Sequence, residues 1–555
     1  MNNPIAPHGG QLAELLVNAE HAAILKEVTR DIPSLDLDRN QLCDLELLMN
    51  GGYSPLKGYL GRGDYESVLN SMSLQDGTFW PWPITLRVNA KTAESLSPGQ
   101  KVALRDPEGF MPAVLTISDI WPADLALEQV KLGASLPGEI CLGGTLEGLA
   151  FPPRHDFMEL RLTPAEMRSL FQRKGWKKVI SYQPAQPIHR VHRDFAVVTS
   201  LGREANLLIH GIAGTLPPNE TGYFSRIRSY QAAMEYFPAA STTLALSPLG
   251  EMGAHPREIL LRAIVACNYG CSHLIVGGDG CSESDGCKGA DLVKNALAEA
   301  GGQLEKIGIE LIPFERLVYV EEKAQFIPEN DVPENARILS LPGTELMRRL
   351  DYDLDLPDWF TFPQVEAELR RSHPPRHQLG FTVFFTGLSG AGKSTLAKVL
   401  QIKLLEMGGR QVTLLDGDIV RRHLSSELGF SREHRDINVR RIGYVASEIT
   451  KNHGIAICAP IAPYSATRAD VRNMIEPLGG FFEIHVATPL STCENRDRKG
   501  LYAKARAGLI KEFTGISDPY EIPEEAELTI DTSNVSVDEA IQRILLKLEQ
   551  EGYLR

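Results

Sequence analysis

Apolar residues along the 555-residue chain change texture twice. Up to about residue 165, short apolar runs such as FWPWPITLRV, KVALRDPEGF and AVLTISDIW alternate with Gly and Pro. Short runs bounded by turn formers predict a compact, mostly β domain over 1–165. From Trp176 the runs become continuously apolar, as in KKVISY, NLLIHGI, TTLALSPL and HLIVGGD, with helical patterns such as REILLRAIVACNYG between them. Alternating strand and helix signals predict a parallel sheet covered by helices over 166–325, a fold that binds ligands at the carboxyl ends of its strands. A connector follows over 326–375, and its stretch RRSHPPRHQLG, with Pro374 and Pro375, reads as a linker. The strand pattern FTVFFTG then opens a last α/β domain over 376–555.

Composition narrows the function classes. The chain is 43% apolar and 23% charged, as a globular protein is, and it has the length for several packed cores. No internal repeat is apparent, which excludes solenoids and propellers. No apolar run approaches the ~18–20 residues that span a bilayer, and MNNPIAPHGGQLAELL has no signal-peptide pattern, so a cytoplasmic protein without a membrane partner is expected. Its eight cysteines are expected to stay thiols. A formal charge of −14 argues against nucleic acid as a partner. Against that acidic background, residues 421–441 carry six Arg and three acids, and 496–511 carry six Lys or Arg and one Asp. A lone basic run is usually a solvated helix face, so the neighbours of these two decide their meaning.

One neighbour is the run Gly387, Leu388, Ser389, Gly390, Ala391, Gly392, Lys393, Ser394, Thr395, which matches G-x-x-x-x-G-K-[ST] between a strand pattern and the helical pattern TLAKVLQIKLLEM. Its glycines let backbone N–H groups curl around phosphates, Lys393 bridges the β- and γ-phosphates of ATP, and Ser394 ligates Mg²⁺. The next strand, TLLDGD, ends on Asp416 and Asp418, two carboxylates one residue apart that suit Mg²⁺-bound water and an acceptor hydroxyl; capping of the next helix is the plainer use. No G-protein base-recognition motif follows, and ~180 residues leave little room for a motor.

GLSGAGKSTLA, DGDIVR, LGFSREHRDINVRRIGYVA, PIAPYSATR and KGLYAKARAGLIKEFTGISDPYE together resemble adenosine 5′-phosphosulfate (APS) kinase over nearly all of 380–535. The resemblance implies transfer of the ATP γ-phosphoryl group to the 3′-hydroxyl of APS, with Lys393 and Asp418 catalytic and Mg²⁺ held by Ser394 and Asp418. It also implies APS contacts from Asp418, Arg421, Phe430, Arg435, Asn438, Ile461, Ala462, Lys499, Gly500, Leu501 and Phe513. Phe430 and Phe513 would sandwich the adenine, and Lys499, Lys504 and Arg506 would belong to a lid. Many members have Ser where this chain has Ala462, so a phosphoserine route is closed here.

PHGGQL, QLCDLELLMNGGYSPLKGYL, GGTLEGL, HDFMELRLTPAE and PGTELMRRL resemble ATP sulfurylase over about 1–370. The two resemblances together imply a bifunctional PAPS synthetase-like chain. The implied fold is a β-rich PUA-like N-terminal domain, a Rossmann-like α/β sulfurylase-like domain, a small connector domain and a P-loop kinase domain, assembled as a homo-oligomer through the sulfurylase-like region. Where that family has Q-x-R-N-P-x-H-x-x-H, this chain has Gln183, Ala185, Gln186, His189 and His192, and where it has G-R-D-H, Gly278, Asp279 and Gly280 stand after Gly277. Hydrogen bonds to charged groups are worth ~1.5–3 kcal/mol each, so two missing arginines amount to roughly 3–6 kcal/mol. The expectation is an inactive or impaired sulfurylase site. The alternatives are a weak but real sulfurylase in which Arg190, Arg193 or Arg257 stands in, a site for another small anion, a fully bifunctional enzyme, or a non-catalytic oligomerising or regulatory module.

His189 and His192 have metal-like spacing but no acidic third ligand nearby, and read as a relic phosphate site. Cys267, Cys271, Cys281 and Cys287 are spaced too loosely for the usual zinc pairs.

Overall fold

The computed structural model of the protein describes residues 4–29, 32–214, 221–250, 253, 255–277, 289–429, 431–497 and 500–555, except the side chains of Val28, Thr221 and Asp418. The backbone forms two compact units, Met1–Met347 with Asp355–Ser372, and Arg348–Leu354 with His373–Arg555. Among the described residues no helix is long and apolar enough to cross a membrane.

In the first unit a six-stranded sheet runs from Ser34–Asp36 through Lys101–Arg105, Ala113–Pro122 and Ile140–Gly148 to Gly58–Tyr59, with Leu86–Val88 also paired to Ile140–Gly148. The apolar runs of the amino-terminal texture form these strands. Helices missing from that reading accompany them, among them Arg39–Met49 and Arg62–Ser71. Arg39–Met49 has a local start signal, since Asp38 and Gln41 cap each other's backbone N–H, but it buries Cys43, Leu45, Leu47, Leu48 and Met49. A helix buried around most of its circumference lacks the one-sided period by which helices are recognised. Beside this sheet the Arg87 guanidinium meets the fully buried Glu128 carboxylate, which also accepts from the Tyr65 hydroxyl at 2.7 Å.

The second sheet of this unit is parallel, in the order Glu310–Pro313, His273–Val276, Val179–Tyr182, Asn206–Ile212, Thr242–Ser247. Helices Arg190–Gly202, Thr221–Met234 and Pro256–Asn268 follow strands of this sheet. One buried core joins the two sheets, with Leu47, Leu104 and Leu115 in the same cluster as Leu208, Ile264 and Leu274.

The second unit holds another parallel sheet, ordered Val412–Asp416, Ile455–Ala459, Phe381–Thr386, Gly480–Val486, Leu528–Ile530. Phe381, Val383 and Phe385 face one cluster, with Leu396, Leu400 and Ile544, while Phe384 faces the other, with Ile442 and Val471. A central strand buried on both faces explains the uninterrupted apolar run FTVFF. All five strands run the same way, so the segments after Thr386, Asp416, Ala459, Val486 and Ile530 emerge at one edge of the sheet.

Candidate active site

The strand Phe381–Thr386 passes directly into the loop 387–392 and the helix Lys393–Met407. Gly387 and Gly392 have φ of +147° and +109°, and a Cβ at Gly387 would come within 2.5 Å of the Val486 carbonyl oxygen. No other residue type closes this turn without strain. Three hydroxyls fix the loop: the Ala391 carbonyl accepts from Thr488 Oγ1 at 2.9 Å and Thr532 Oγ1 at 2.8 Å, and the Ser389 carbonyl accepts from Tyr502 Oη at 2.8 Å. Lys393, 7% exposed, donates from Nζ to the Gly387 and Leu388 carbonyls, each at 2.8 Å. Ser394 and Thr395 are exposed on the first helical turn. Asp416 ends its strand nearly buried, and Asp418 lies in the helix Gly417–His423.

The first basic cluster divides by position on the helix Arg432–Lys451. Arg440 and Arg441 pair at the surface with Asp470 and Glu427, as a solvated face would. Arg435 instead meets the Asp518 carboxylate, donates to Thr514 Oγ1 at 3.1 Å and bonds the Glu512 carbonyl, so it holds the turn that carries Phe513. Arg421 Nη1 donates to the Gly429 carbonyl at 2.9 Å, and Asn438 is buried with its carbonyl oxygen Oδ1 unpartnered among the described residues. Tyr464 also donates to Asp518, at 2.7 Å, and burial together with that carboxylate pushes its phenol up to about 12.

Ile461 and Ala462 sit beside the phosphate loop. Thr386 Oγ1 donates to the Ile461 carbonyl at 2.8 Å, and Arg468 Nη1 donates to the Ala462 carbonyl at 2.8 Å. Ala462 has a left-handed φ of +46° and is 1% exposed. Gly500, at φ +64°, starts the helix Leu501–Arg506, in which Lys504 is exposed and Arg506 pairs with Glu494 at 2.8 Å. Phe430 and Lys499 lie outside the described residues.

In the first unit, the strand Val179–Tyr182 delivers Gln183, whose Oε1 accepts from Arg262 Nε at 2.8 Å in a buried contact. The Ala185 carbonyl accepts from Arg226 Nη1 at 3.0 Å, while Gln186 is exposed. His189 caps the helix Arg190–Gly202, with its N–H on His192 Nδ1 at 3.0 Å and its own Nδ1 2.9 Å from Thr361 Oγ1. Burial, with His192 beside it, lowers the His189 imidazole to about 3, which leaves the ring neutral and suited to hydrogen bonding rather than charge.

The three arginines that sequence offered as substitutes are committed elsewhere. Arg190 Nε bonds the Thr361 carbonyl at 3.1 Å, Arg193 bonds the Tyr236 carbonyl and Asp194, and buried Arg257 bonds the Val68 and Leu69 carbonyls and Glu299. Arg226 and Arg262, which motif comparison passes over, contact the 183–185 segment instead. An arginine inside the apolar run ILLRAIVAC was the available signal for Arg262. Gly278, Asp279, Gly280, Cys281 and Cys287 lie outside the described residues. Cys267 and Cys271 are buried free thiols, and burial pushes Cys267 up to about 11.

Three family matches tile the chain: a PUA-like domain over residues 5–132, ATP-sulfurylase over 158–372 and Adenylylsulphate kinase over 379–531. The sulfate adenylyltransferase of Phaeosphaeria nodorum is 41% identical over 573 aligned positions, covering 100% of both chains. That of Mycosarcoma maydis is 41% identical over 571, covering 99% of this chain and 100% of the other. Among solved structures, the hexameric APS kinase from Thiobacillus denitrificans is 48% identical with a TM-score of 0.84, covering 100% of this chain and 99% of that one. An ATP-sulfurylase domain and an APS kinase domain are therefore both present. End-to-end likeness to sulfate adenylyltransferases favours the bifunctional alternative over the inactive or impaired sulfurylase site expected from positions 185, 186, 278 and 280.

Proposed function

We propose that this chain, which belongs to the sulfate adenylyltransferase family, is a two-activity enzyme: its second unit phosphorylates APS to PAPS, and its first unit forms APS from ATP and sulfate. For the kinase, the observation that carries the reading is the shared sheet edge, where a phosphate loop, the strand-end Asp416 and an inward-turned arginine beside an aromatic turn converge. Such a site receives two anionic nucleotides and holds them in line. The APS 3′-oxygen attacks the γ-phosphorus, the bond to the β-phosphate oxygen breaks, ADP leaves, and the hydroxyl proton passes to Asp418. Lys393 leaves the loop carbonyls for the phosphate oxygens. Ser394 and Asp418 would hold Mg²⁺, since hydroxyl and carboxylate oxygens are its preferred donors, and the ion supplies neutralisation of the β,γ-phosphate charge.

For the sulfurylase the reading rests on the family match and on Arg226, Arg262, Gln183 and the neutral His189 converging on the 183–189 segment. Loss of the motif arginine at 185 lowers the rate of adenylyl transfer in this reading without removing the site. The name of the Thiobacillus denitrificans chain supports a homo-oligomer. It also favours a second reading, in which the first unit serves assembly alone.

Purified full-length protein assayed for APS-dependent ADP formation and, separately, for sulfate-dependent pyrophosphate release tests both halves. Two turnovers are expected, the second slow. Absence of the first overturns the kinase reading; absence of the second leaves the assembly reading.

A further inference from the structure

Tyr502 touches both candidate nucleotide sites at once. Its hydroxyl donates to the Ser389 carbonyl of the phosphate loop at 2.8 Å, and its ring meets Phe513 edge-on, with centroids 5.0 Å apart and planes at 80°. The side chain is buried, at 3% exposure, so neither contact is a surface accident. Each end is then tied further. The phosphate loop is held by Thr488 and Thr532 through the Ala391 carbonyl. The Phe513 turn is closed by N–H bonds from Ile516, Ser517 and Asp518 to the Phe513 carbonyl, and Asp518 pairs with Arg435. Asp497 fixes the start of the Tyr502 helix by accepting from the N–H groups of Tyr502 and Ala503 at 3.1 and 3.0 Å.

A hydrogen bond at one end and a ring edge at the other make Tyr502 a rigid strut with little rotamer freedom between two loops. If phosphates filling the loop shift its 387–392 backbone, the Ser389 carbonyl is the contact through which that shift reaches the Tyr502 hydroxyl. The ring edge in turn bears on the plane of Phe513, against which the adenine would stack in the kinase reading.

We infer that Tyr502 is a positioning residue that couples occupancy of the phosphate loop to affinity for the nucleotide acceptor at Phe513. The inference rests on the kinase reading above. Coupling between two sites is reciprocal: if a nucleotide in the loop tightens the acceptor by some factor, the acceptor tightens that nucleotide equally.

Isothermal titration of the full chain measures this directly, with APS titrated in the absence and presence of saturating Mg·ADP, and Mg·ADP titrated with and without APS. In the unaltered chain both ratios are expected at about fivefold or more, in the usual range of coupling between sites. Tyr502→Phe keeps the buried ring and removes only the hydroxyl; both ratios are expected to fall together to within about twofold of unity, while binding of Mg·ADP alone persists and reports an intact fold. Phe513→Leu breaks the other contact, and the double variant should lose no further coupling. Wild-type coupling retained in Tyr502→Phe, or losses that add in the double variant, would show the tyrosine to be merely structural and overturn the inference, as would ratios of unity in the unaltered chain. Absence of APS binding in the unaltered chain, by contrast, refutes the kinase reading itself.

Discussion

Asp518 holds Arg435 in place: its carboxylate receives the guanidinium and the Tyr464 hydroxyl, and both side chains of the ion pair are mostly buried, at 11% and 16% exposure. The pair closes the turn that carries Phe513. Two uses of Asp518 are distinguishable. It either orients the arginine for an anionic acceptor or masks it until the acceptor arrives. The added bond from Arg435 to the Glu512 backbone favours orientation. Asp518→Asn is therefore expected to raise the KM for APS about tenfold or more, the worth of a hydrogen bond to a charged group, with a smaller change in kcat. Steady-state kinetics with varied APS decide, and a lower KM would show that Asp518 masks the arginine.

Lys393 is held by two carbonyls of its own loop. Lys393→Ala removes both those bonds and the charge that the kinase reading assigns to the β- and γ-phosphates. APS-dependent ADP formation should fall ~10³-fold or more, the scale of a lost phosphate clamp, while sulfate-dependent pyrophosphate release is unchanged. A parallel fall in both activities would point to unfolding instead, which thermal melting would reveal.

Strands such as FTVFFT and the phosphate loop were legible because the pattern is local: continuous apolar residues, then glycines at positions whose backbone only glycine tolerates. Helix Arg39–Met49 was not, because burial on most sides erases its period. Arg226 and Arg262 were invisible for another reason. They reach the 183–185 segment from helices far along the chain, and no spacing rule relates them to the Q-x-R-N-P pattern. Phe513 was identified by resemblance alone; that Tyr502 backs it is a tertiary fact. Conversely, Arg190, Arg193 and Arg257 were the substitutes the sequence offered, and their hydrogen bonds lead elsewhere.

Position 185 offers a direct gain-of-function experiment. Its backbone carbonyl is held by Arg226, and Ala185 itself is only partly buried. An arginine side chain has a route outward there. Ala185→Arg is expected to raise sulfate-dependent pyrophosphate release about tenfold or more, if one charge-assisted hydrogen bond is restored, and to leave the kinase untouched. Combination with Gly278→Arg tests whether the second missing arginine adds to the first. No gain in either variant would argue that the first unit serves assembly.

His210 lies on the strand Asn206–Ile212, fully buried against Tyr269 at 4.5 Å between ring centroids, and neither ring nitrogen has a partner among the described residues. Burial lowers its imidazole to about 3. The sign follows from which state binds the proton. Between the ordinary 6.5 and about 3, the unfolded chain is protonated at this position and the folded chain is not, so stability is complete above pH 6.5 and falls as the solution is acidified through that window. At pH 5 the loss from this one group is about 2 kcal/mol, from 1.36 kcal/mol per pH unit. All five tryptophans, Trp80, Trp82, Trp121, Trp176 and Trp359, lie in the first unit, so their fluorescence reports its unfolding and not that of the kinase. Urea titrations of the unaltered chain and of His210→Leu at pH 7.5 and pH 5 should give similar stabilities at the higher pH and a smaller acid loss in the variant. His189, also lowered to about 3 but hydrogen-bonded to Thr361, keeps part of the acid slope in both. Equal slopes would mean that His210 is already partnered by water in the folded state and takes up its proton there.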